Sequence, residues 1–187
     1  AKNYEAEISS RGEKLPHYTE VGVGFSKMCL TPMLEYGRQA LEDNKKGVAT
    51  EALEQVVLAI VVTTAIVSIF LTRDFTPDYN SGLAHACFYA LTAYPVIEKE
   101  HLHGEVVGFG VLYALLVDGQ QEEFEKIYAL NKELGLPVRI ADIGITEEQF
   151  FETMDRIPQM SDIRHYPYAV TKEMLMQAYE TIEQLPV

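Results

Sequence analysis

The chain has 187 residues, room for one sizeable hydrophobic core or at most two small ones. Its 48% hydrophobic and 23% charged residues, with no low-complexity tract, exclude a disordered or fibrous chain. Acidic residues outnumber basic ones 28 to 15, a formal charge of −13, and no basic cluster exceeds Lys45-Lys46, so nucleic acid is not expected as a partner.

In chain order, "AKNYEAEISSRG" (1–12) reads as helix from its first residue with no cap before it, as when a helix follows a segment upstream. "GEKLPHYTEVGVG" (12–24) reads as a loop. A helix is expected over about 25–45, with Pro32 marking a kink or a first turn and Gly47 ending it. Residues 50–73 form a markedly apolar helix. Within it Val56 to Thr72 is 17 residues without a charge, close to the roughly 18–20 that span a bilayer. Thr63, Thr64 and Ser68 interrupt this run, Glu54 and Arg73 bracket it, and no aromatic belt flanks it. We therefore expect a fully buried central helix and no membrane span, because a helix apolar on all sides belongs in a core or in lipid.

"RDFTPDYNSG" (73–82) has turn chemistry. "GLAHACFYALTAY" (82–94) reads as a helix stopped by Pro95, and "HGEVVGFGVLYALLVDG" (103–119) as another, with Glu105 where the helix dipole favours an anion. Residues 121–135 are amphipathic, with Phe124, Ile127, Tyr128, Leu130 and Leu134 on the inner side. "LPVRIADIGI" reads as extended. Thr146 and Gln149 have capping-box spacing for a helix to about 156, and a last helix runs from Thr171 to about Leu185. No alternating strand pattern or internal repeat is visible. The expected fold is all-α, a single domain built as a helical bundle of about eight helices. Cys29 and Cys87 lie in apolar helical patterns, which fits buried free thiols in a reducing cytoplasm.

Chemistry must come from the histidines. His17 and His165 stand in loop-like stretches beside prolines and tyrosines and read as structural or exposed. His85 lies among Leu83, Ala84, Ala86, Cys87 and Phe88, where its ring nitrogens need partners. It is either a core histidine bonded to a carbonyl or a ligand. His101 and His103, two apart, cannot face the same way on a helix, so at most one points inward. His103 precedes a helix carrying Gly104, Gly108 and Gly110, which admit a close backbone or a ligand. The return segment "PVIEKEHL" can bring the start of this helix near His85, so that two neutral imidazoles meet one metal ion; a catalytic zinc would need a third protein ligand. Glu98, Glu100 and Glu105 are the nearby carboxylates that a metal-dependent hydrolase would use, and Glu105 reads rather as a dipole or outer partner.

"SGLAHA" followed by "HGEVVGFGVLYALLV", with His85 and His103 18 positions apart, resembles the metal-binding half of the glycerol dehydrogenase branch of the iron-containing alcohol dehydrogenase superfamily. "NKELGLPVRIADIGI" and "ALEQVVLAI" resemble it too, so the likeness covers most of residues 1–155. The resemblance implies the C-terminal helical domain of the iron-containing alcohol dehydrogenase and dehydroquinate synthase-like fold, with an N-terminal NAD-binding α/β domain as its partner. It implies zinc or iron(II) on His85, His103 and an aspartate that would lie before Ala1, NAD(H) as cofactor, and a small alcohol or polyol as substrate. Tyr89, one turn from His85, is either a substrate contact or, as the favoured reading, a packing residue, and self-association into a homo-oligomer is expected. Where relatives often carry a second histidine, this chain has Phe88 and Tyr89, and "LTRDFTPDYNSG" replaces a short glycine-rich link. The chain alone is expected to lack dehydrogenase activity. The alternative is a non-enzymatic helical interaction or oligomerisation domain with structural histidines.

Overall fold

The computed structural model describes residues 2–12, 14–73 and 79–186. Among these the chain forms nine α-helices and no strand: α1 (Lys2–Ser10), α2 (His17–Lys46), α3 (Glu51–Leu71), α4 (Leu83–Leu91), α5 (Pro95–Glu100), α6 (His103–Val117), α7 (Gln121–Leu134), α8 (Glu147–Arg156) and α9 (Lys172–Glu183). The all-α expectation holds.

The main core gathers Leu83, Cys87 and Leu91 of α4, Phe109, Leu112 and Tyr113 of α6, Phe124 of α7, Phe150 and Met154 of α8, and Leu175 and Ile182 of α9. Burying such side chains contributes about 1.5–3 kcal/mol each before entropy is counted. α6 lies at the centre: Val106, Val107 and every residue from Phe109 to Leu115 are buried, so its apolarity has no polar side to show. Tyr113 and Phe150 stack edge-on at 5.2 Å within this core.

α2 and α3 pair with each other and with α1 around a smaller core of Ala6, Val67, Leu71 and Tyr79. Their connection is tightly specified. Gly47 ends α2 in the left-handed region (φ 67°) and donates its N–H to Asn44 O. The Thr50 hydroxyl donates to the buried Asp43 carboxylate at 2.6 Å and accepts from the Leu53 N–H, capping α3. The Gln39 amide donates to the other Asp43 oxygen at 2.6 Å.

Four sequence expectations are corrected. Residues 17–24 are helical rather than loop, and α2 runs 30 residues. Gly22 is there for packing: a Cβ on it would lie 2.8 Å from Phe70 Cβ of α3. Pro95 starts a helix as its first residue instead of only ending one, since its missing N–H has no intrahelical partner at that position. The stretch after Pro137 curls into a 3₁₀ turn, Ile140–Ile143, because Asp142 accepts the N–H groups of Val138 and Arg139.

The largest correction concerns α3. It is long and apolar enough to cross a membrane by length and composition, yet only 11% of its apolar window is buried here. Val57, Leu58, Ile60, Val61, Val62, Ile66 and Ile69 are exposed, Ile69 by 70%. One face packs on α2, through Ala59 and Val67, while the other forms an open apolar ridge. Hydropathy reports that a segment avoids water; it does not report what covers it. A π-turn, Ala59–Thr63, interrupts the helix at its middle. The region 74–78 of the expected 73–82 loop lies outside the described residues.

Candidate metal centre

Two helix starts build the site. α4 begins after Ser81, whose hydroxyl donates to the Asp162 carboxylate at 2.7 Å, both groups being buried. This strut fixes the end of α4 that carries His85. α6 begins at His103, and its first turn is closed by Glu105, whose carboxylate accepts the Leu102 N–H at 3.0 Å. α5 supplies the return between the two starts.

The helices then meet almost backbone to backbone. A Cβ on Gly110 would stand 2.5 Å from the Ala84 carbonyl oxygen and 3.0 Å from Ala84 Cα. No side chain larger than hydrogen fits at this crossing, and it lies one residue from His85. Gly110 is therefore the member of the glycine trio that serves helix packing. Around Gly104 and Gly108 nothing lies within 4 Å of where a Cβ would be, so the α6 surface following His103 is open.

The result is that His85 and His103 come together, with ring centres 5.3 Å apart and planes at 45°. His85 is buried, 9% exposed, while His103 is exposed. An ion about 2.0–2.1 Å from one nitrogen of each ring at a tetrahedral angle places the ring centres about 5 Å apart, so the spacing fits two ligands of one zinc-like ion. Among the described residues no group of three His, Cys, Asp or Glu side chains is placed to hold a metal, so a third ligand is not supplied by them. They likewise contain no strand leading through a glycine-rich turn into a helix, the usual dinucleotide cradle.

The surroundings of the pair are aromatic. The Phe88 ring meets the His103 ring edge-on, centres 4.4 Å apart and planes at 74°. Tyr89 lies 6.2 Å from the His85 ring and packs on Phe88 at 5.3 Å. Tyr89 is 45% exposed.

The other histidines are elsewhere. His101 ends α5 and turns its Nδ1 to within 3.7 Å of the Glu105 carboxylate, so Glu105 serves the cap and His101. His17 is exposed at the start of α2, 3.9 Å from Glu20, and His165 stacks on Tyr79 at 5.4 Å. Glu98 and Glu100 are exposed on α5, and among the described residues they join no group of three His, Cys, Asp or Glu side chains that could hold a metal. Cys87 is buried and Cys29 half-buried, and neither is in a disulfide. Two cavities, of about 490 and 590 Å³, open elsewhere and include neither His85 nor His103.

Sequence reading missed three contributors: the Ser81–Asp162 strut, the Ala84–Gly110 contact and the Phe88–His103 contact. Of these only Phe88 left a local sign, since a residue three places after His85 shares its helix face.

Comparison with known proteins places the chain beside glycerol dehydrogenases. It is 31% identical over 131 residues to glycerol dehydrogenase of Escherichia coli O6:H1, a match covering 70% of this chain and 33% of that protein. It is 28% identical over 169 residues to glycerol dehydrogenase of Thermotoga maritima, covering 85% of this chain and 43% of that one. The crystal structure of glycerol dehydrogenase from Schizosaccharomyces pombe superposes with a TM-score of 0.77 at 21% identity, over 97% of this chain and 46% of the other. No family model matches. The chain thus spans less than half the length of these relatives, and its fold is that of the matching part of a glycerol dehydrogenase.

Proposed function

We propose that this chain is the metal-binding helical part of a metal-dependent, NAD-linked alcohol dehydrogenase acting on glycerol or a similar small polyol. The observation that carries the reading is the 5.3 Å approach of His85 and His103 from two helices held together at Ala84 and Gly110. The glycerol dehydrogenase names of the relatives support the substrate class.

Zinc or iron(II) bound by His85, His103 and a ligand from outside this chain would supply the Lewis acidity that makes an alcohol hydroxyl easier to deprotonate. The chain's own residues do the rest. His85, buried beside the α4–α6 crossing, would offer one imidazole from the enclosed side of the pair. His103 presents the second imidazole at the open surface, where substrate arrives. Tyr89, exposed and 6.2 Å from the His85 ring, would offer its hydroxyl as a hydrogen-bond donor and acceptor to a substrate oxygen. NAD, held by a separate nucleotide-binding domain, would supply the hydride acceptor for the alcohol carbon. The apolar ridge of α3 serves contact with that domain or with another subunit of a cytoplasmic homo-oligomer, rather than lipid.

Joined in one polypeptide to the nucleotide-binding half of a glycerol dehydrogenase, the chain is expected to restore NAD reduction with glycerol, small diols or 2-hydroxy acids. His85→Ala and His103→Ala should each abolish it. Activity that persists in the double variant would overturn the reading.

A further inference from the structure

We infer that Phe88 is a positioning residue for His103, holding its ring in the orientation in which it pairs with His85; the metal part of this inference rests on the function proposed above. His103 is the more exposed of the two histidines. It is the first residue of α6, at a helix end, and is exposed, whereas His85 is buried in the first turn of α4. Next to it, Gly104 and Gly108 leave open space. An imidazole in such a place has two side-chain torsions to lose before it can act as a ligand.

Phe88 restricts that freedom by geometry. It stands three residues after His85 on the same face of α4 and is half-buried, packed against the main core. Its ring meets His103 at 4.4 Å and 74°, the edge-to-face arrangement favoured by the quadrupoles of two aromatic rings. His103 is thereby bracketed, by Phe88 at 4.4 Å and by His85 at 5.3 Å, both carried on one rigid helix. Since the Ala84–Gly110 contact fixes that helix relative to α6, the bracket cannot open without moving the crossing. Phe88 makes no bond to a metal and takes no proton; it acts only through His103. Outer groups that orient a ligand commonly influence metal affinity by about 10–100-fold, and an aromatic wall is one means of doing so.

The test compares Phe88→Leu, which removes the ring, with Phe88→Tyr, which keeps it. The first readout is metal-free: nuclear Overhauser contacts between the ring protons of His85 and His103 in the full chain. They are expected in the wild type and in Phe88→Tyr, and are expected to be lost or strongly reduced in Phe88→Leu, while the amide spectrum of the core is unchanged. Contacts that persist in Phe88→Leu would overturn the inference. So would their loss in Phe88→Tyr as well. The second readout is titration with zinc chloride alone. Phe88→Leu should weaken binding about 10-fold or more and Phe88→Tyr should restore it. Zinc binding abolished by His85→Ala but indifferent to Phe88→Leu would sink the positioning role and leave the metal site standing. Intact ring contacts that need Phe88, together with zinc binding that survives His85→Ala, would sink the metal site and leave the positioning role.

Discussion

At the scale of single residues, the site is an arrangement of two histidines whose environments differ. His85 was legible because a histidine amid Leu83, Ala84, Ala86 and Cys87 needs a reason to be there. His103 was legible only through its spacing from His85. Phe88 was legible only as a residue on the helix face of His85, because an aromatic residue on an apolar helix says nothing of the ring it touches. Tyrosines set the alkaline limit of the fold. Tyr168 is raised from its ordinary pKa first by burial and then by donating to Asp118, which Arg11 also holds at 2.9 Å. Tyr179 is raised first by burial and then by its bond to Glu147, and Tyr113 well raised by burial. A phenol whose folded pKa is raised contributes stability that is fully present below about pH 10 and is lost as pH climbs towards the folded value. Denaturation from pH 8 to 11 should therefore show stability falling above about pH 10. Tyr168→Phe should fall less steeply than wild type; an identical slope would remove Tyr168 from the explanation.

At the scale of elements, the boundaries set by caps were the readable ones. Thr146 and Gln149 form the reciprocal pair the spacing implied, with Gln149 N–H donating to Thr146 Oγ1 and Thr146 N–H to Gln149 Oε1. Thr146→Ala should cost about 1 kcal/mol in urea unfolding, with the histidine pair undisturbed. The start of α2 was not readable, because Gly22 and Gly24 look like loop punctuation; only Gly22 is explained by α3, whose Phe70 and Leu71 side chains need the space. Gly110 is the same lesson with a functional outcome. Gly110→Ala drives a methyl into the Ala84 carbonyl, so we expect a loss of about 1–3 kcal/mol as the helices part. Weakened zinc binding should accompany it. Unchanged binding in Gly110→Ala would show that the crossing does not set the histidine spacing.

At the scale of the molecule, a compact bundle around α6 carries the site, and α2 and α3 offer an apolar ridge to something else. The class of fold was readable from helical periods and turn residues, whereas the exposure of α3 was not, since an exposed apolar ridge and a core helix can have the same composition. Protein contact predicts that Val61→Glu with Ile69→Lys lowers concentration-dependent self-association in sedimentation, with helicity retained. The same association in variant and wild type would place the contact elsewhere. The measurement that tests the central claim most directly is zinc titration of the wild-type chain beside His85→Ala and His103→Ala. The prediction is saturable but weak binding in the wild type, as two ligands allow, lost in each variant. Tight zinc binding that survives His85→Ala would contradict it.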